Sequence, residues 1–382
     1  MTETEYIDSP EQLAAFVAGI REWDWLAVDT EFIREDSYWP ELCLVQVAAG
    51  DRLACIDPLQ LDEAGMAPLR DLMLDPAKLK VFHAARQDLE VFFHCWQAVP
   101  APVFDTQIAA AMLGHGDQVG YARLVQVVCG KELAKGHTRT DWRARPLSPE
   151  AIEYAADDVR YLGPVFEHLR QGLVNSGRME WLEEEFQSLT DPALYLPDPD
   201  NAWKRVKGYR KLKPRQVAVL VSLARWREEE ALARNRPRRW ILKDQAMIDL
   251  ARRPPKQASD MEDMRDVPDA VRRRHGDKIV AAAEAGLQEP PPALADTPER
   301  LSPAQEALVD AMMAVLRARC ADHDMSPAQV ATRKQLEALV RGERDLPLLK
   351  GWRAAMAGRD LESLLRGDLK LAVSAGRLVF EK

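Results

Sequence analysis

Five side chains in this sequence have the types and spacing of a divalent-cation site. Asp29 and Glu31 stand one residue apart in WDWLAVDTEF (23–32), an apolar run with the Trp and Val content of a buried strand. A strand's period of two puts both carboxylates on one face. Two acids side by side at the end of such a run are costly unless something positive lies between them. Divalent cations take oxygen ligands, so the pair reads as part of a metal site; two surface acids on an edge strand are the alternative. Asp88 follows in HAARQDLEVF (83–92), near the start of a helix after a strand, where sheet folds place functional groups. By itself it is also the acid that a helix dipole favours. IEYAADDVRYL (152–162) is alanine-rich and free of Gly and Pro, hence helical. Tyr154 and Asp158 are four apart and share one helix face, with Asp157 turned roughly a quarter-turn away.

The chemistry follows from the donor set. Phosphodiester hydrolysis needs a nucleophile at neutral pH, charge neutralisation at phosphorus and help for the leaving oxygen. Two cations ~3.5–4 Å apart serve all three, and four carboxylates supply ligands for two Mg²⁺ or Mn²⁺. Tyr154, with an ordinary pKa of ~10, is a poor base at pH 7; orienting the attacking water suits its hydroxyl, and packing on the sheet is the alternative. Thr30 and Phe32 flank Glu31 and are candidate substrate contacts, Phe32 stacking on the terminal base or packing in the core. His83 sits at a strand end, where it contacts a phosphate or sugar or serves as a structural histidine. KGHTRTDWRARPLS (135–148) concentrates Lys135, Arg139, Arg143 and Arg145 around Trp142. That mix suits phosphate contacts with one stacking group, or a loop ordered by an Arg–Asp141 pair. Asp105 in FDTQ reads as a helix cap, not a fifth ligand.

The elements that must position these groups are legible in outline. CLVQVAA (43–49) and RLACID (52–57) read as strands joined by a Gly50-Asp51 turn, LKVFHA (79–84) as a further strand, and PVFDTQIAAAML (102–113) as a strand running into a helix. These give a mixed central sheet flanked by helices, an α/β domain over residues 1–190. Proline-bearing stretches at 189–201 and 288–303 read as linkers, which places two small all-α domains at 203–288 and 300–382. The latter two look like copies: at an offset of 89, Pro214 matches Pro303, Gln216 Gln305, Met247 Leu336 and Leu250 Leu339. The net charge of −9 over 382 residues does not by itself suggest a polyanion partner, but it is unevenly distributed. Residues 1–200 hold 16 Lys+Arg against 35 Asp+Glu, whereas 201–290 hold 22 against 13, with basic runs at Lys204-Arg205, Arg238-Arg239, Arg252-Arg253 and Arg272-Arg273-Arg274. A basic module of this kind suits phosphate tracking, and a solvated helical face is the alternative. No apolar run approaches the ~20 residues of a membrane span. The start, MTETEYIDSPEQ, lacks the order of a secretion signal, and five scattered cysteines without a C-x-x-C pair point to a reducing cytoplasm.

VDTEF, HAARQDLEVF, FDTQIAA, DWRARPLS and YAADDV, in that order across residues 24–170, resemble ribonuclease D, of the tyrosine-bearing subclass of the DEDD exonuclease superfamily. The downstream units resemble tandem helicase-and-RNase-D-C-terminal (HRDC) domains. The resemblance implies a ribonuclease-H-like fold and a 3′→5′ exoribonuclease that releases 5′-mononucleotides by a two-metal-ion mechanism. It also implies metal binding by Asp29, Glu31, Asp88 and Asp158, with Tyr154 as the tyrosine of the third motif. The expected partner is RNA, as tRNA precursors and small structured RNAs, and the expected state a monomer without membrane attachment. An exonuclease acting mainly on DNA would carry the same acids, because telling the two apart requires reading the 2′-OH. A non-catalytic nucleic-acid-binding protein is the third alternative, which the intact acids disfavour.

Overall fold

The computed structural model describes residues 3–133, 140–293 and 300–381. Its long strands β2 (Trp25–Ile33) and β3 (Glu41–Ala49) bury Leu26–Val28 and Leu42–Val47 without interruption. Runs of that kind need cover on both faces, which makes them central. β3 turns through Gly50 into β4 (Arg52–Ile56), antiparallel, with Ala49 opposite Arg52. The turn takes glycine for two reasons: its φ is +59°, and a Cβ there would lie 2.0 Å from the Trp23 ring. β1 (Thr4–Ile7) runs parallel to β4, β5 (Leu79–Phe82) parallel to β2, and β6 (Val103–Asp105) parallel to β5. The order is β1-β4-β3-β2-β5-β6, the mixed sheet that the sequence implies. β1 is the addition: only Ile7 of its four residues is buried, so no apolar run announces it.

Helices α1 (Pro10–Gly19), α2 (Ala67–Leu74), α3 (Arg86–Trp96), α4 (Thr106–Met112), α5 (Tyr121–Cys129), α6 (Pro149–Arg160), α7 (Leu162–Ser176) and α8 (Trp181–Thr190) accompany the sheet. α6 starts where its sequence says it should, with Ser148 accepting from Ala151 N at 3.2 Å and Pro149 in the first turn. It lies against β4, where Cys55 Sγ donates to Ile152 O at 3.7 Å.

The chain forms two compact units, one of residues 1–31, 42–194 and 300–382, the other of 32–41 and 195–299. In the first, the closing segment contributes α13 (Pro303–Ala321), α14 (Pro327–Val330), α15 (Arg333–Val340) and a helix over Arg359–Arg366. Trp352 stacks on Trp181 at 5.1 Å and 6°, Arg353 pairs with Glu185 at 2.6 Å, and Arg178 donates to His323 O at 2.8 Å. The segment is not all-α as expected: it ends in an antiparallel hairpin, β7 (Lys370–Ser374) and β8 (Arg377–Glu381). Its two-residue turn, Ala375-Gly376, has both φ angles positive, the geometry that twisted hairpins favour.

The second unit is built on α9 (Pro214–Ala233), whose residues Val217–Ala224 are buried in succession, with α10 (Arg238–Ile241), α11 (Asp244–Arg252) and α12 (Asp269–Gln288) around it. Gly286 lets α12 close on α9, since a Cβ there would stand 2.6 Å from Val219 Cα. Residues 32–41 belong to this unit. Tyr38 donates to the buried Glu228 at 2.5 Å and accepts from Arg238 at 2.7 Å, while Asn235 Oδ1 accepts the Tyr38 and Trp39 N–H groups. Burial pushes the Glu228 pKa up, but its bonds from Arg238 and Tyr38 outweigh this and hold it below the ordinary value. The repeat is visible in the helices: the starts Pro214 and Pro303, Arg238 and Pro327, and Asp244 and Arg333 are each 89 apart. Gln216 and Gln305 each accept the N–H of the residue before the first helical turn at 2.9 Å. Met247 and Leu250, and their counterparts Leu336 and Leu339, are fully buried.

Removing the Trp352 ring should strip Trp181 of its stacked partner. Chemical denaturation of full-length Trp352→Ala is expected to show a loss of about 3–5 kcal/mol. A loss of the size seen for surface substitutions would mean that the closing segment does not stabilise the first unit.

Candidate active site

The five chemistry-bearing residues come from three elements of the first unit. Asp29 and Glu31 lie near the end of β2, Asp88 in the first turn of α3, and Tyr154 and Asp158 on one face of α6. The site they form is one electrostatic neighbourhood. Burial, then the charges of Asp88, Asp158 and Glu31, push the Asp29 carboxyl well above the usual carboxylate range. Burial, then Asp158 and Asp88, raise Glu31 to about 8. Burial raises Asp88 to about 7 against the lowering effect of its bond from Thr30, and burial together with Asp157 raises Asp158 to about 7. The Tyr154 hydroxyl is raised by burial and then by Asp158, Glu31 and Asp29. Asp88 is 6% exposed, whereas Asp29, Glu31, Tyr154 and Asp158 keep a partly open rim, as a site that receives a polymer end requires.

The side chains holding this arrangement are ones that local patterns do not flag. Thr30 is buried, and its hydroxyl donates to Asp88 Oδ1 at 2.5 Å, so it positions an acid instead of facing substrate. Asp105 caps α4, accepting from Gln107 N at 2.8 Å and Ile108 N at 3.3 Å, as its sequence context implies. It also accepts Ala84 N at 3.1 Å and Ala85 N at 2.9 Å. Those bonds fix the β5–α3 turn that leads to Asp88, in which Ala84 has φ +61°. Tyr121 is a further neighbour: its hydroxyl donates to Asp157 O at 3.1 Å, and burial followed by the Asp158 charge pushes it well above its ordinary pKa. Asp157 itself turns to Arg160 at 2.8 Å.

Several proposed substrate contacts have other employment. Trp142 is 6% exposed and stacks on Tyr154 at 6.5 Å, so it is no open platform for a base. Arg145 is consumed by the fold: it holds the fully buried Asp57 through two bonds of 2.5 and 2.7 Å and donates to the carbonyls of Cys43, Trp142 and Ala144. Tyr6 donates to the same Asp57 at 2.5 Å. A guanidinium with those commitments is not available to phosphate. The expected Arg–Asp141 ordering takes a different form, the Arg143 backbone N–H donating to Asp141 Oδ1 at 3.1 Å. His83 Nδ1 lies 3.0 Å from Thr106 Oγ1, whose hydrogen goes to Phe82 O, so the imidazole is the donor and its ring packs near Tyr121. Phe32 is half-buried. Arg139 and Lys135 lie outside the described residues.

The donor chemistry fits a divalent cation. Four carboxylates and a tyrosine, without thiolate or imidazole, form the all-oxygen set that Mg²⁺ or Mn²⁺ takes. Among the described residues no three acidic, His or Cys groups close into a ready-made cation cage, so the acids are gathered without being clenched. Burial raises all four pKa values, and repulsion from Asp88 and Asp158 adds to the rise in Asp29 and Glu31; a bound cation would relieve both.

Comparison with known proteins identifies the family and the fold. A family model described as 3′-5′ exonuclease matches residues 4–173, and one described as HRDC domain matches residues 216–282. The ribonuclease D of Granulibacter bethesdensis is 39% identical over 377 residues, covering 97% of this chain and 95% of its own. That of Sphingobium indicum is 39% identical over 381 residues and 97% of each chain. The crystal structure of Escherichia coli RNase D, an exoribonuclease involved in structured RNA processing, superposes with a TM-score of 0.82 at 30% identity over 96% of this chain and 99% of that one. Fold and site together define a 3′–5′ exoribonuclease with an appended helical module. The chain belongs to the ribonuclease D family.

Arg145→Met should cost about 3–5 kcal/mol, because it leaves Asp57 buried without its partner, while the RNA affinity of the folded variant stays at the parent value. A variant that keeps its stability but loses RNA affinity would return Arg145 to the substrate. A second expectation concerns pH. Asp88, Asp158 and Glu31 have folded pKa values raised above the ~4 of an unfolded carboxyl, so their contribution to stability is fully present below ~4 and is lost as pH rises through about 7 to 8. In EDTA, the Tm of the parent should fall more steeply between pH 5 and 8 than that of Asp158→Asn, and excess Mg²⁺ should raise the parent's Tm more at pH 8 than at pH 5.5. Parallel pH profiles would remove carboxylate repulsion from the account.

Proposed function

We propose that the chain removes 5′-mononucleotides one at a time from RNA 3′ ends, with two divalent cations, Mg²⁺ or Mn²⁺, held by Asp29, Glu31, Asp88 and Asp158. The observation that carries this reading is that Asp29 and Glu31 both feel the charges of Asp88 and Asp158 around one strand end, with Tyr154 in the same field. Bound there, the cations supply charge neutralisation at the phosphate and a nucleophile at neutral pH.

The chain's own residues do the positioning. Asp29 and Glu31 present their oxygens from a strand whose apolar half is locked in the core, and Asp88 is held by Thr30. Tyr154 keeps its proton at neutral pH, because its pKa is raised, so it acts by hydrogen bonding and not as a base. Its hydroxyl orients the attacking water, and the Trp142 ring stacked against it limits where that hydroxyl can go. The basic unit, 22 Lys+Arg against 13 Asp+Glu over 201–290, offsets an acidic catalytic body by gripping phosphates, which makes affinity strongly salt-dependent. By likeness to the Escherichia coli enzyme, the substrates are structured RNAs, and the family resemblance adds tRNA precursors to them. The reading also includes a monomer in a reducing cytoplasm, which five scattered cysteines without a C-x-x-C pair favour.

The test offers matched RNA and DNA oligonucleotides, with free and blocked 3′ ends, in Mg²⁺, Mn²⁺ or EDTA. Asp29→Asn and Asp158→Asn should each lose cleavage by more than about 100-fold while still binding RNA, and Tyr154→Phe should lose about 100-fold in kcat with cation affinity kept. Substantial cleavage by Asp29→Asn would sink the metal assignment, and preferred cleavage of the DNA strand would move the reading to a DNA exonuclease.

A further inference from the structure

The second unit carries an aromatic ring that its own fold leaves largely in solvent. Trp240, on α10, is 61% exposed, against 39% for Trp23, the next most exposed tryptophan among the described residues. Its backbone is nonetheless fixed. The following residue, Ile241, is 4% exposed, and Arg238, two residues before, is bonded to the buried Glu228 and to Tyr38. The ring therefore stands on a rigid turn with its surface in solvent, an arrangement that wastes apolar area unless something covers it.

What surrounds the ring identifies the occupant. The Arg236 guanidinium lies 5.9 Å from the ring centroid and is itself held by Asp36 O at 2.9 Å. Arg239 and Lys243 are exposed within three residues of Trp240, and the stretch 231–243 holds no acid and five cations, of which Arg234, Arg236 and Arg238 face Glu230, Asp36 and Glu228. Lipid insertion or an apolar protein face would call for further exposed apolar residues here, yet Ile241 and Leu242 are both buried. One flat π face beside the held Arg236 and the exposed Arg239 and Lys243 matches an unpaired nucleobase with a phosphate on either side.

We propose that Trp240 is a stacking platform for an unpaired base of the RNA substrate, with Arg236, Arg239 and Lys243 taking the flanking phosphates. The proposal rests on the RNA reading above and adds the residue that gives the helical module hold on bases as well as backbone. Stacking of this kind tolerates any sequence, since every base has a π face, and it does not release counterions. Loss of the ring thus weakens binding without changing its salt slope, whereas loss of the cations changes the slope.

The experiment uses the full chain carrying Asp29→Asn to block cleavage. A 5′-fluorescein single-stranded RNA 12-mer and an abasic ribose-phosphate strand of the same length are titrated across a salt series. Adding Trp240→Ala should weaken binding of the 12-mer about 5- to 150-fold with the salt slope unchanged, and Trp240→Phe should recover most of that loss. The abasic strand should bind equally well to the chain with and without W240A. Arg236→Ala with Arg239→Ala should instead flatten the slope on both strands. Unchanged binding of the 12-mer by W240A, or an equal loss on the abasic strand, would overturn the proposal while leaving the exoribonuclease reading intact. A parent chain that neither binds nor degrades RNA would overturn both.

Discussion

Bringing Asp29, Glu31, Asp88 and Asp158 into one half-buried space opposes the hydration of four charges and their mutual repulsion together. Their raised pKa values express that opposition, and much of the nearby structure exists to withstand it. Each acid is carried by an element anchored elsewhere: β2 by its buried apolar half, α3 by the turn that Asp105 ties down, and α6 by its Ser148 cap and its seat on β4. Packing supplies the rigidity, since carboxylates left to themselves would separate. An acid cluster made in this way is unstable in isolation and stable only as part of a fold that has surplus elsewhere.

Charge is handled differently in the two units. In the first, like charges are concentrated where chemistry needs them, and Asp57 shows the opposite treatment, fully buried but saturated by Arg145 and Tyr6. In the second, buried charges are paired: Glu228 with Arg238 and Tyr38, and Arg227 with Asp244. Paired burial fixes structure, and unpaired burial creates reactivity; the same residue types do either according to what faces them.

This explains which parts of the site are legible in the sequence. Asp29 with Glu31 and Tyr154 with Asp158 are readable because strand and helix periods act over a few residues. Asp88 is readable only from the order of the motifs. The residues that mislead, Trp142 and Arg145, sit in a stretch whose composition suits an exposed phosphate-binding loop, yet Arg145 is claimed by Asp57, 88 positions away. The Thr30–Asp88 bond spans 58 positions and leaves no local trace. The closing hairpin escapes for another reason: extending the helical repeat to the end of the chain hides it, although LAVSAGRLVF carries the alternation and turn residues of two strands. Long-range pairing, more than local propensity, is where reading residues in order stops.

The 89-residue register of the two helical segments has a consequence for how such a chain can diversify. Helix starts and buried positions are shared, while the surfaces are not: 22 Lys+Arg against 13 Asp+Glu in one, 13 against 11 over 301–382 in the other. A fold specified by its starts and its core leaves its exterior free to drift, so a duplicated copy can exchange ligand for neighbour without relearning how to fold. One segment exposes Trp240 beside Arg236, whereas the other, at a position that does not match it, sets Trp352 against Trp181. Duplication here separates the instructions for shape from the choice of what the shape touches.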